Sequence, residues 1–181
     1  MKIKSEYETL KDLTKLFTDT GTDFILTGSF LLTFYQIPRA TRDIDILIPS
    51  DIKNTEKFIK GISKKFIIPQ DIKKALKAET HFNIIDPRNF LKIDFFIVKK
   101  EKFDELKKRA KRVSLKEFQL LILSLTDFII SKVEWIKKGG GEIHRADIIK
   151  LIETLNKREK SKLFKKLKEM GYYEEIKKIL G

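Results

Sequence analysis

Thr27-Gly28-Ser29-Phe30 and, fourteen residues after Ser29, Asp43-Ile44-Asp45-Ile46-Leu47-Ile48 are the two stretches that decide how this chain is read. Residues two apart on a strand point to the same face. The second stretch therefore aims two carboxylates one way, while Ile44, Ile46 and Ile48 take the remaining positions of a buried strand. Two like charges side by side are costly to bury unless a cation neutralises them. A hard divalent cation with oxygen ligands does so, and Mg2+ is held by one or two carboxylates together with substrate phosphates. The pattern points to metal-assisted phosphate chemistry.

Working outward, Leu10, Leu13, Leu16 and Phe17 recur at helical spacing and predict a helix over 5–20. Residues 23–27 read as a short buried strand. Gly28-Ser29 turns it into a second helix, Phe30 to Gln36, which Ile37-Pro38 ends. After the strand at 42–48, Ser50 or Asp51 is expected to cap a helix over 52–62. A brief strand at 66–68 and a helix over 71–78 follow. Strands at 81–85 and 91–98, joined by Asp86-Pro87-Arg88-Asn89, read as a hairpin. Helix, strand, helix, strand, helix and hairpin make an α/β (α+β) fold, a mixed sheet with helices packed on it. Beyond residue 100 come a charged helix at 101–109 and an apolar run at 115–124 that fits strand or helix. Then follow helices at 126–136, with Thr126 as cap, and 143–155, and an amphipathic Lys/Glu-rich tail. Trp135 is expected in the core, and His144 in the loop after Gly139-Gly140-Gly141.

The segment from Phe24 to Ile48 resembles the signature of the nucleotidyltransferase superfamily related to DNA polymerase beta. In that superfamily a Gly-Ser pair opens a helix, an Asp-x-Asp pair lies on the next strand, and a third carboxylate lies on a later one. Asp94, the one acidic residue of the apolar run Ile93-Asp94-Phe95-Phe96-Ile97, fits the third position. Pro38-Arg39-Ala40-Thr41-Arg42-Asp43-Ile44-Asp45 is most similar to stand-alone prokaryotic nucleotidyltransferases, among them the AbiEii-type toxins of abortive-infection and toxin–antitoxin systems. The likeness extends more weakly to Lys132 and Asp147, and does not reach the tail. Phe30 departs from the small residue that many relatives carry there.

The resemblance implies a nucleotidyltransferase core over 1–100 and a helical C-terminal region over 101–181. Asp43, Asp45 and Asp94 become the catalytic and metal-binding residues, with Mg2+ or Mn2+ as cofactor. Gly28, Ser29, Arg39, Arg42 and Lys132 become nucleotide-binding residues for ATP or another NTP. The implied reaction moves an NMP to an acceptor hydroxyl, on an RNA or tRNA end or on a protein side chain, with release of pyrophosphate. An antitoxin or toxin partner belongs to the same picture. The competing expectation is a catalytically silent fold that binds nucleic acid or a partner protein. Three converging acids argue against it, since they repel phosphate. For Arg39 and Arg42 the competing role is structural pairing with Asp43 and Asp51, and for Asp147 the anchoring of helices.

The remaining composition narrows the classes. With no cysteine, neither a disulfide framework nor a thiolate metal site is possible. His81 and His144 have no neighbours at zinc-ligand spacing. No apolar run approaches the ~20 residues that span a bilayer, and the first residues do not read as a signal peptide; a cytoplasmic protein with no membrane partner is the expectation. The formal net charge of +13 favours polyanions, although Lys/Glu richness alone also marks thermophile proteomes.

Overall fold

The computed structural model describes residues 3–39, 41, 43–69 and 71–181, with the backbone alone at residues 3–5. The chain forms two compact units, one of residues 1–31 with 40–123, the other of residues 32–39 with 124–181.

The first unit contains α1 (Ile3–Thr20), β1 (Ile25–Thr27), β2 (Asp43–Pro49), α2 (Thr55–Ser63), α3 (Ile72–Lys77), β3 (His81–Asp86), β4 (Leu91–Val98), α4 (Lys100–Arg109), β5 (Lys111–Leu115) and β6 (Phe118–Ile122). The strands make a six-stranded sheet in the order β3-β4-β2-β1-β6-β5. It is mixed: β2 runs parallel to β4 and antiparallel to β1, while β1 runs parallel to β6. The expected β3–β4 hairpin is present and antiparallel. Ile67 adds only an isolated bridge to Ile85 where a brief strand was expected.

Strand alternation sorts the side chains. Ile44, Ile46 and Ile48 of β2 and Ile93 and Phe95 of β4 are buried on one face. There Phe17 of α1 and Phe58 of α2 bring their rings to 6.1 and 6.4 Å from Phe95, which stacks on Phe82 at 4.7 Å. Asp43, Asp45 and Asp94 take the alternate positions and so the opposite face.

Two local expectations are corrected, and one left open between strand and helix is settled. The helix after Gly28 is 3-10 rather than α, over Ser29–Tyr35, starting with the tight bond from Leu31 N–H to Gly28 C=O at 3.1 Å. α2 is capped by Asn54, whose side chain accepts from Lys57 N–H, not by Ser50 or Asp51. The apolar run near 115–124 resolves as the β5–β6 hairpin, turning at Lys116-Glu117, with Lys116 at φ 27°.

The second unit is built from α5 (Leu125–Lys137), α6 (Glu142–Glu153), α7 (Lys157–Glu169) and α8 (Tyr173–Leu180). Its core includes Phe128, Ile129, Val133, Ile148, Leu151, Leu167 and Ile176. α5 starts one turn position earlier than expected, because Ser124, not Thr126, accepts from Asp127 N–H and closes the first turn. Trp135 is 52% exposed rather than in the core: the buried stripe of α5 runs through Phe128, Ile129, Lys132 and Val133, and Trp135 falls off it. His144 lies in the first turn of α6, not in a loop, and its ring stacks on Trp135 at 6.3 Å between centroids. Among the described residues no helix is long and apolar enough to cross a membrane.

Candidate active site

The register of three strands assembles the acidic cluster. In the β2–β4 ladder Asp45 lies opposite Asp94, and in the β1–β2 ladder Thr27 lies opposite Asp45. The β1 strand therefore ends beside the second carboxylate, and the chain leaves it through Gly28. Asp43, Asp45 and Asp94 each offer a carboxylate oxygen, and these oxygens lie within 4.8 Å of one another. Asp94 is buried and the other two are half-buried.

Gly28 is required twice over. Its φ is +71°, a conformation that side chains resist, and an added Cβ would stand 1.7 Å from the Asp45 Oδ2. The space that glycine opens is filled by the Asp45 carboxylate itself. Ser29 follows at once, as the first residue of the 3-10 helix.

Two partners of the cluster were not singled out from the sequence. Lys92, two residues before Asp94 on the same strand face, brings its Nζ to 2.8 Å from Asp94 Oδ2. Its hydrogen bond to Asp94 raises the lysine above its ordinary value; burial opposes this, and the charges of Asp94, Asp43 and Asp45 add to the rise. Thr41 donates its hydroxyl to Asp43 Oδ1. The i, i+2 spacing of Lys92 and Asp94 was a readable signal for the first, while nothing in the sequence marks Thr41 as a partner of Asp43.

Two further expected residues belong to the second unit. Arg39 and Lys132 meet in the second unit, at Asp147. Arg39 Nη1 is 2.6 Å from one Asp147 oxygen, and Lys132 Nζ is 2.7 Å from the other. Lys132 is 3% exposed and sits 4.8 Å from the centre of the Phe128 ring. The two cations satisfy a carboxylate that would otherwise be buried at a cost of several kcal/mol. Arg42 lies outside the described residues.

The donor set of the cluster fits a hard divalent cation. It is all oxygen, it carries three negative charges against one lysine, and its atoms converge closely enough to share an ion. Neither thiolate nor imidazole is part of it, as a zinc site would prefer.

No family model and no curated protein matches the chain. Among solved structures it is similar to a candidate nucleotidyltransferase from Thermotoga maritima, with a TM-score of 0.52 at 15% identity, covering 81% of this chain and 92% of that one. It is also similar to an antigenic nucleotidyltransferase-like protein from Paracoccidioides brasiliensis, with a TM-score of 0.55 at 14% identity, covering 98% of this chain and 93% of that one. The chain thus has the fold of nucleotidyltransferase-like proteins.

Proposed function

We propose that this protein is a metal-dependent nucleotidyltransferase that moves an NMP from an NTP to an acceptor hydroxyl. The observation that carries the reading is the convergence of Asp43, Asp45 and Asp94 on one sheet face, beside the Gly28-Ser29 turn. A fold of this type without chemistry has no need to gather three carboxylates at that point.

Asp43 and Asp45 would hold the cation, with Asp94 as third ligand or as base. Mg2+ or Mn2+, when bound, neutralises charge on the substrate phosphates and orients them for in-line displacement. The protein's own groups do the rest. Thr41 holds one oxygen of Asp43, and the Asp45 carboxylate occupies the space that Gly28 leaves open, so both stand near the cation position before substrate arrives. Asp94 takes the proton of the acceptor hydroxyl as its oxygen bonds to the α-phosphorus. The bond from that phosphorus to the leaving oxygen breaks, and pyrophosphate departs. Lys92, held between Asp94 and solvent, balances charge at the same place. Ser29 offers a hydroxyl donor to a phosphate oxygen. Arg39 and Lys132 would meet a nucleotide's phosphates through N–H groups beyond those that bond Asp147.

The acceptor is an RNA or tRNA end or a protein side chain, and the likeness of residues 38–45 to AbiEii-type toxins makes a toxin–antitoxin role the working context. Calorimetric titration of each NTP into wild type and Asp43→Ala, with and without Mg2+, tests the reading. Wild type is expected to bind at least one NTP only with metal. Asp43→Ala is expected to lose about tenfold or more, equivalent to at least about 1.4 kcal/mol, while its melting temperature stays within a few degrees of wild type. Absence of metal-dependent NTP binding in wild type sinks the proposal.

A further inference from the structure

On the far side of the sheet from the carboxylates, a cavity of about 240 Å³ opens between α1 and α2. Gly61 lies where the helices meet: an added Cβ there would come within 2.3 Å of Leu16 Cδ1, so a larger residue would push that side chain aside. Five lysines line the cavity, Lys15 from α1 and Lys57, Lys60, Lys64 and Lys65 from α2 and the residues after it, against two aspartates, Asp12 and Asp19. Three of the lysines are engaged. Lys15 pairs with Asp19 at 2.9 Å, Lys65 pairs with Asp12, and Lys57 donates to the Asp19 carbonyl oxygen. Lys60 and Lys64 carry no acidic partner among the described residues, and both are exposed.

We infer that this groove binds the phosphate backbone of a nucleic-acid strand. Lys57, Lys60 and Lys64 recur at i, i+3 and i+7, so they stand on one helix stripe, about one 5.4 Å turn apart. A row of cations at that spacing suits a chain of phosphates better than one compact anion. The groove holds lysine and no arginine. Lysine binds phosphate as a point charge, and five lysines against two aspartates leave the groove with an excess of positive charge for a polyanion. Position excludes the transferred nucleotide. α1 and α2 rest on the Phe95 face of the sheet, and Asp94 points to the other. Sheet and helix layer together put more than ~10 Å between groove and carboxylates, so the groove is separate from the acidic cluster. The inference does not rest on catalysis and is tested by binding alone.

Fluorescence anisotropy of a labelled 20-nucleotide single-stranded RNA, titrated from 50 to 300 mM KCl, reads the site in the full chain. Three proteins are compared: wild type, Lys60→Ala/Lys64→Ala, and a control that removes two exposed lysines from α8, Lys177→Ala/Lys178→Ala. Loss of two phosphate contacts is expected to flatten the slope of log K against log salt by about 1.4, with roughly tenfold weaker binding near 100 mM. The control should stay within about twofold of wild type. Equal weakening in both pairs would reduce the effect to net charge and overturn the site. So would absence of RNA binding by wild type. Polyglutamate that binds as tightly as RNA, and is lost in the same variant, would replace the nucleic-acid assignment with an acidic-protein one. Unchanged urea denaturation of both variants shows that the comparison is between folded proteins.

Discussion

At the scale of single residues, the candidate site turns on what Gly28 lacks. A methyl group there would have to occupy the place of the Asp45 carboxylate, 1.7 Å away, in a backbone conformation of φ +71°. Either the turn or the carboxylate must move. The left-handed conformation alone costs roughly 1–2 kcal/mol for a residue with a Cβ. Moving Asp45 also breaks the convergence with Asp43 and Asp94. Gly28→Ala is therefore expected to lose about 1–3 kcal/mol of stability in urea denaturation and to bind Mn2+ at least about tenfold more weakly by electron paramagnetic resonance titration. Wild-type Mn2+ affinity in this variant would show that Asp45 is not held against the turn. The same residue shows where sequence reading ends. A Gly-Ser pair before a helix indicates a turn, yet the neighbour that makes glycine obligatory comes from β2, seventeen positions on, and only the β1–β2 register reveals it.

At the scale of elements, what was legible followed period and what was not followed long-range pairing. The i, i+2 pattern of Asp43 and Asp45 over an isoleucine run gave β2, and the lone acid among apolar residues gave β4 and the third carboxylate. The 3-10 helix escaped because Phe30, Leu31, Leu32 and Phe34 are apolar all round and carry no period to choose between helix types. The acid that stitches the β3–β4 turn onto α1 was equally hidden. Asp86 is fully buried; it accepts from Thr9 at 2.6 Å and from Arg88 Nη2 and Nε at 2.6 and 2.9 Å. Arg88 also reaches Asp12 of α1 at 2.9 Å. Burial pushes the Asp86 carboxyl up, but the hydrogen bonds from Arg88 and Thr9 together outweigh it and hold it below its ordinary 3.8. The folded protein thus binds this proton less readily than the unfolded chain, so the stabilisation is present above about pH 4 and lost as pH falls through the folded value. Asp86→Asn keeps the shape and removes the charge. It should cost about 1–3 kcal/mol at pH 7 and the same at pH 5, and the gap to wild type should narrow below pH 3.8. Urea midpoints at pH 7, 5 and 3 check it; a gap that stays constant to pH 3 would mean the carboxylate charge contributes nothing there.

At the scale of the whole molecule the dominant fact is a net charge of +13, and salt acts on it in two opposed ways. Screening weakens exposed ion pairs such as Lys15 with Asp19, Lys73 with Glu56 and Lys102 with Glu105; each contributes at most about 1 kcal/mol, and often nothing. Screening also relieves repulsion among cations that have no acid to meet. Among the described residues Lys60, Lys64, Lys74, Lys108, Lys165 and Lys166 have no acidic partner within ion-pair distance, and self-repulsion of this kind destabilises the compact state. The exposed pairs are weak and local, whereas the excess charge acts across the folded chain, so relief should win. Between 10 and 300 mM KCl the Debye length shrinks from about 30 Å to about 6 Å, and the melting temperature is expected to rise by roughly 2–4 °C. Circular-dichroism melts in chloride alone read this effect. Sulfate and phosphate are avoided because their exclusion from the protein surface raises the transition by a separate route. A melting temperature that falls across the chloride series would mean that the ion pairs outweigh the excess charge, and that the lysines of this chain are balanced locally.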